Sequence, residues 1–230
     1  SMKFSIVLPT YNEAGWLKDT VARLNIAFAE LDNSSAELII VDDGSTDNTK
    51  KIVTSLASDI PITYLQQQNK GRFLARKAGI SSAKYEYILL IDSRVHIHRQ
   101  ALTYVNKRLQ EHPNEIVWNA HVVVDKKNNV FASFWDVIAS IAWRKYFADP
   151  RHVSFGLKEF DFYPKGTTCF FIKSELLRGA VAAFNSGSAD YKRANDDTLL
   201  IKNIASQTKI HISPQFSCTY HARGTLKKFL

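Results

Sequence analysis

Acidic and basic side chains gather at three points in the first half of the chain, each directly behind an apolar run. They are Thr10-Tyr11-Asn12-Glu13 after Phe4–Leu8 and Pro9, Asp42-Asp43-Gly44-Ser45 after Leu38–Val41, and Asp92-Ser93-Arg94 after Tyr87–Ile91. Carboxylates accept hydrogen bonds and protons, and guanidinium groups fork onto phosphate oxygens. Lys70, Arg72 and Arg76 form a basic group where a helical pattern begins. A helix N-terminus flanked by cations is a ready anion site, with a solvated basic helix end as the alternative. Asp196 and Asp197 are adjacent carboxylates at another helix start, a position that capping alone also favours.

The elements that must position these groups follow from periodicity. Apolar runs predict strands at Phe4–Leu8, Leu38–Val41, Ile62–Leu65, Tyr87–Ile91 and around Ile116–Val124. Between them, helical spacing covers Ala14–Leu31, about Asn48–Leu56, Gly71–Ser82 and Gln100–Glu111. Alternating strands and helices with continuous apolar strands predict an α/β fold: a central mixed, mostly parallel, Rossmann-like sheet with helices on both faces. Such sheets bind ligands at the carboxyl ends of their strands. All three clusters therefore belong on one rim.

The second half is less regular. We expect a strand at Cys169–Ile172, a helix from near Asp197, and two strands at Lys209–Ile212 and Phe216–Tyr220. Phe131–Phe147 reads as an amphipathic helix rich in aromatics, expected to face the core, with a lipid-facing surface as the alternative. Trp118, Trp135 and Trp143 are expected to be core residues. Cys169 and Cys218 sit in apolar stretches and read as buried free thiols. A strand pattern begins at once, without a signal-peptide pattern, and a cytoplasmic setting is expected, with the inner face of the membrane as a second one. The formal net charge of +8 favours anionic partners, but no nucleic-acid-binding module accompanies it.

FSIVLPTYNEAGWL, LIIVDDGSTDNT and YILLIDSR resemble, in sequence, spacing and order, the GT-A fold of family-2 glycosyltransferases. The resemblance is clear over roughly the first 110 residues. It implies a single domain over 2–230, with a nucleotide-binding half at about 2–112 and an acceptor and catalytic half at about 113–230. It implies an inverting transfer from a nucleotide-diphosphate sugar, a UDP-sugar first, to a glycan or lipid-linked acceptor, with peripheral membrane contact as a further partner. Pro9, Thr10, Tyr11 and Glu13 match the loop that cradles base and ribose, Asp43 the base-binding position, and Lys70, Arg72 and Arg76 a basic stretch near the donor.

The family usually carries Asp-X-Asp after the fourth strand, its last Asp holding Mn²⁺ or Mg²⁺. Here the stretch reads Asp92, Ser93, Arg94. Two readings stay open: Arg94 takes the metal's place on the diphosphate, or Asp92 and His221 still hold a divalent ion. Asp197 matches the catalytic base, and Asp196 its companion in the stretch that begins at Asn195. His221 and Arg223, in the stretch that runs on to Gly224 and Thr225, match residues that reach the diphosphate. Lys165, Gly166 and Thr167 are expected on the acceptor side. His96 and His98 are expected to be packed or exposed rather than ligands. A nucleotidyltransferase is disfavoured by the lack of a Gly-x-Gly-Thr-Arg loop after the first strand. The remaining alternative is a catalytically impaired sugar-nucleotide-binding domain.

Overall fold

The computed structural model describes residues 2–127, 129–184 and 196–223. Its first half alternates as the periodicity predicts: β1 (Lys3–Thr10), α1 (Ala14–Ala29), β2 (Ser35–Asp42), α2 (Thr49–Thr54), β3 (Ile62–Gln66), α3 (Arg72–Ser82) and β4 (Tyr87–Ile91). A three-residue strand, β5 (Val95–Ile97), precedes α4 (Ala101–Glu111). Then come β6 (Val117–Val124), α5 (Val130–Ala142), α6 (Arg144–Phe147), β7 (Val153–Phe155), β8 (Cys169–Lys173), α7 (Ser174–Ala183), α8 (Asp196–Ala205) and β9 (Ile210–Tyr220).

Among the described residues one sheet has the order β3-β2-β1-β4-β8-β6-β9-β5, with β7 also on β9. The pairings make β1, β2, β3, β4, β6 and β9 run one way and β5, β7 and β8 the other, so the sheet is mixed and mostly parallel. Strand side chains alternate between faces, so each continuous apolar run supplies two cores. Ile6, Leu38 and Leu89 join the core that includes α1 and α4 residues such as Leu17 and Leu102. Val7, Ile39 and Leu90 join the core that includes α3, α7 and α8 residues such as Ile80, Leu177 and Ile201. Gly79 lets α3 lie close on the sheet: a Cβ there would come within 2.5 Å of Val7.

The second half differs from expectation in three ways. Lys209–Ile212 and Phe216–Tyr220 are not two strands but one, β9, with a register shift on β6 between Ala120/Ser213 and His121/Ser217. Pro214 cannot donate to the ladder, and the strand bulges past it rather than ending. The helix over Phe131–Phe147 breaks at Trp143 and does not face the core: within α5 only Ala132 is buried. Val130, Phe134, Trp135, Val137, Ile138 and Ile141 are exposed, and Trp118 alone of the three candidate tryptophans is fully buried. Cys169 and Cys218 are buried and free, as expected.

Candidate active site

The register of β1 on β2 ends at Thr10↔Asp42, so the loops behind both strands leave the sheet side by side. Asn12, at φ 52, clasps them. Its Oδ1 accepts from the amides of Thr46 (2.8 Å) and Asp47 (3.2 Å), and its own amide donates to Ser45 Oγ at 2.9 Å. Asp42 braces the turn, accepting from the Ser45 amide at 2.8 Å and from the Tyr64 hydroxyl. Gly44 has φ +80, and a Cβ there would lie 2.8 Å from Asn69 N, so the turn requires glycine.

Asp43 is buried beneath the third loop. Its carboxylate accepts from Gln67 Nε2 (2.7 Å) and from the amides of Lys70 (2.8 Å) and Gly71 (2.9 Å). This changes the expected anion site at the start of α3. Two amides near the helix N-terminus already hold Asp43, and Lys70 is exposed and does not line the cavity described below.

Arg76 also differs from expectation. Its guanidinium is buried and donates to Asp92 Oδ1 at 2.8 Å and to Asp197 Oδ1 at 2.9 Å. It is a tie between the end of β4 and the start of α8, not a group free to take a phosphate. Arg72 adds a 3.6 Å ion pair to the other Asp92 oxygen. Burial opposes charge on Asp197 and is the largest single influence, but Arg76, Arg72 and Thr167, whose amide lies 3.4 Å away, together outweigh it and hold the carboxyl below its ordinary range.

A third cluster surrounds Glu13. The sequence placed this residue among base and ribose contacts; here the buried carboxylate carries two arginines, Arg94 (Nε, 2.9 Å) and Arg223 (Nη2, 2.6 Å). Arg94 also lies 4.9 Å over the Trp16 ring. Trp16 in turn stacks on His221 at 5.0 Å. Both His221 ring nitrogens are engaged, Nδ1 with Asp125 (2.9 Å) and Nε2 with His96 (3.0 Å), and His221 does not line the cavity. His98 is packed against Ser217 and Thr219.

These groups enclose an open cavity of about 500 Å³, lined by Pro9, Thr10, Tyr11, Glu13, Asp43, Arg72, Asp92, Ser93, Arg94 and Arg223 from the expected set. Asn69, Gly71, Ala75 and Tyr220 complete it. Asp197 joins through Arg76, which links it to cavity-lining Asp92. Thr167 is buried beside Asp197, while Lys165 turns onto its own loop, donating to the Phe160 and Tyr163 carbonyls, and the Gly166 amide donates to Asn119. The side chain of Asp196, and residues Asn195, Gly224 and Thr225, lie outside the described residues. Nothing in the sequence marked Trp16 or Asn119, whose roles depend on partners distant in the chain.

A model of glycosyl transferase family 2 matches residues 5–177, three quarters of the chain. The chain belongs to that family. This family-2 glycosyltransferase is 31% identical over 129 residues to the glycosyltransferase GlyG of Streptococcus pneumoniae, covering 55% of this chain and 42% of that protein. It is 27% identical over 118 residues to the poly(ribitol-phosphate) β-N-acetylglucosaminyltransferase TarS of Staphylococcus aureus, covering 50% of this chain and 20% of TarS. Among solved structures it resembles S. aureus TarS 1–349 with UDP-GlcNAc, at TM-score 0.75 and 19% identity over 97% of this chain and 59% of that one. It also resembles the Pyrobaculum calidifontis mannosyltransferase PcManGT with GDP-Man and Mn²⁺, at TM-score 0.64 and 20% identity over 94% of this chain and 56% of that one. The family-2 glycosyltransferase has the GT-A fold, and it spans less than half the length of either curated relative.

Proposed function

We propose that this glycosyltransferase moves a sugar from a UDP-linked donor, with inversion, onto a hydroxyl of a glycan or lipid-linked acceptor, with Asp197 as general base. The observation that carries the reading is the Arg76 tie, which fixes the candidate base to Asp92 on the cavity wall. The uracil imide N–H is matched by Asp43 and the base plane by Tyr11. The Thr10 hydroxyl is buried without a partner among the described residues and is left for the ligand. UDP-GlcNAc in the TarS structure supports the choice of donor class, and the poly(ribitol-phosphate) in the name of TarS supports a hydroxyl-bearing polymer as acceptor.

In the transfer, the acceptor oxygen bonds to the anomeric carbon as the bond from that carbon to the diphosphate breaks. The hydroxyl proton passes to Asp197. A carboxylate held low is a weak base toward a free alcohol, so it takes the proton late, as the forming bond makes the hydroxyl acidic. The departing diphosphate gathers negative charge and meets Arg72, Arg94 and Arg223 on the cavity wall. Fixed positive charge stabilises a leaving group whether a metal or a guanidinium supplies it.

The residues around Asp92 fit a divalent ion poorly. Asp92 carries two arginines, Glu13 carries two more, and both His221 nitrogens are taken. In this reading the arginines, not a metal, meet the diphosphate. In the same reading, residues 2–112 bind the nucleotide and 113–230 present base and acceptor. The exposed apolar side of α5, between Lys126-Lys127 and Arg144-Lys145, suits a lipid-linked acceptor at the inner face of the membrane.

Asp197→Asn tests the assignment. UDP release from UDP-GlcNAc in the presence of acceptor should fall about 10²- to 10⁴-fold, the usual weight of a general base, with UDP-GlcNAc affinity close to that of the parent protein. Near-normal turnover removes Asp197 from the role.

A further inference from the structure

At the far end of the sheet a second cluster stands apart from the cavity. Glu115 precedes β6, His152 precedes β7, and His211 is the second residue of β9. The strand pairings Trp118↔His211 and Ser154↔His211 bring the three together. Tyr220, which lines the cavity, lies nine residues further along β9, roughly 25–30 Å at strand rise.

We propose that Glu115, His152 and His211 form a structural transition-metal site suited to Zn²⁺. One ligand atom from each residue lies within 4.8 Å of the others. His152 Nε2 is 3.1 Å from His211 Nδ1, and Glu115 Oε1 is 4.0 Å from the same Nδ1. Tetrahedral zinc with bonds of about 2.0–2.2 Å needs ligand atoms about 3.3–3.6 Å apart. The histidine pair is near that spacing, and the carboxylate has to close from 4.0 Å on His211 and from up to 4.8 Å on His152, a shift of about 0.5–1.5 Å that a side-chain rotation can supply.

A hydrogen bond between the two rings accounts for one contact but not for the third. One proton serves the two facing nitrogens, and a carboxylate oxygen 4.0 Å away is too far to share it. The three ligand atoms face one point, and the Glu115 oxygen among them, already held by Arg108 Nη2, keeps a further lone pair for an ion. The rings are also held in place: Trp118, fully buried, lies 5.1 Å from the His152 ring and 5.0 Å from the His211 ring. Two imidazoles and one carboxylate form a nitrogen-rich set that selects zinc or its late first-row neighbours over magnesium and calcium. Arg108, forked onto Glu115 at 2.5 and 2.8 Å, acts in two ways. It fixes the carboxylate from outside, as outer-shell partners do, and its charge weakens the affinity. A bound ion would pin β7, and with it the connection from α6, to the β6–β9 pair.

The test needs no substrate. Chelator-stripped protein is titrated with zinc chloride and followed by thermal unfolding, then with cobalt chloride and followed by visible absorption. The expected result is one equivalent bound and a raised Tm, with loss of the Tm shift in His152→Ala. His152 is exposed beside an edge strand, so its removal leaves the core intact. His152→Cys should restore zinc binding and add a thiolate-to-cobalt absorption band. Equal shifts in the parent protein and His152→Ala, or no shift in either, would overturn the site.

Discussion

Residues 3–91 and residues 117–223 both deliver side chains to one rim, but they hold them differently. In the first stretch the holding groups are backbone amides: Asp42 takes that of Ser45, and Asp43 those of Lys70 and Gly71, 27 and 28 positions on. In the second, Asp197 and Arg223 are held by charged side chains far away, Arg76 and Glu13. The first arrangement fixes loop shape through the backbone. The second depends on pairing, and its members cannot be removed singly without leaving a charge behind.

The sharpest way to break the contrast is Arg76→Met. It strips Asp92 and Asp197 of a shared, buried partner and should cost about 3–5 kcal/mol in urea unfolding at neutral pH. Burial pushes Asp197 up, but Arg76, with Thr167 and Arg72, outweighs it, so the carboxyl sits below its ordinary range. The pair therefore contributes stability above the unfolded carboxylate value and loses it as pH falls through the folded one. The difference between parent and variant should shrink in acid; a difference constant with pH would mean that Arg76 stabilises by packing alone.

Gly44→Ala probes the backbone-held side. A residue forced to φ +80 costs about 1–2 kcal/mol, and the 2.8 Å approach to Asn69 N adds to that. Lower UDP affinity should accompany the drop in Tm, because Asn69 lines the cavity. An unchanged Tm would show that the turn tolerates rearrangement.

The smallest effect is expected on α5. Val130→Ser with Ile141→Ser should change stability by no more than about 0.5 kcal/mol, since both side chains are exposed, while reducing binding to anionic vesicles. A marked fall in Tm would place the helix face in a packed core.

The same contrast explains what could be read before folding. Strands β1, β2 and β4 and their loops were legible because each is a contiguous apolar run followed by its own polar cluster. Helices α1, α3 and α4 end within two residues of the predicted limits. Strands β5 and β7, three residues each, carry too little pattern, and both owe their existence to β9, far along the chain. Helix α7 lies in a stretch without a strong strand–helix alternation. Arg76 looked like an anion-binding residue because its two carboxylates lie 16 and 121 positions away. Glu13 looked like a ribose contact because nothing local announced Arg94 and Arg223. The Glu115, His152 and His211 cluster is set by strand register alone, which no spacing rule displays.

In the proposed transfer, arginines held by Glu13 and Asp92, rather than a metal, receive the donor's diphosphate. Isothermal titration of UDP in excess EDTA, and again in Mn²⁺, tests it most directly. The account predicts tight binding in EDTA with little gain from Mn²⁺, and marked weakening in Arg94→Ala. Binding that vanishes in EDTA and returns with Mn²⁺ would contradict it.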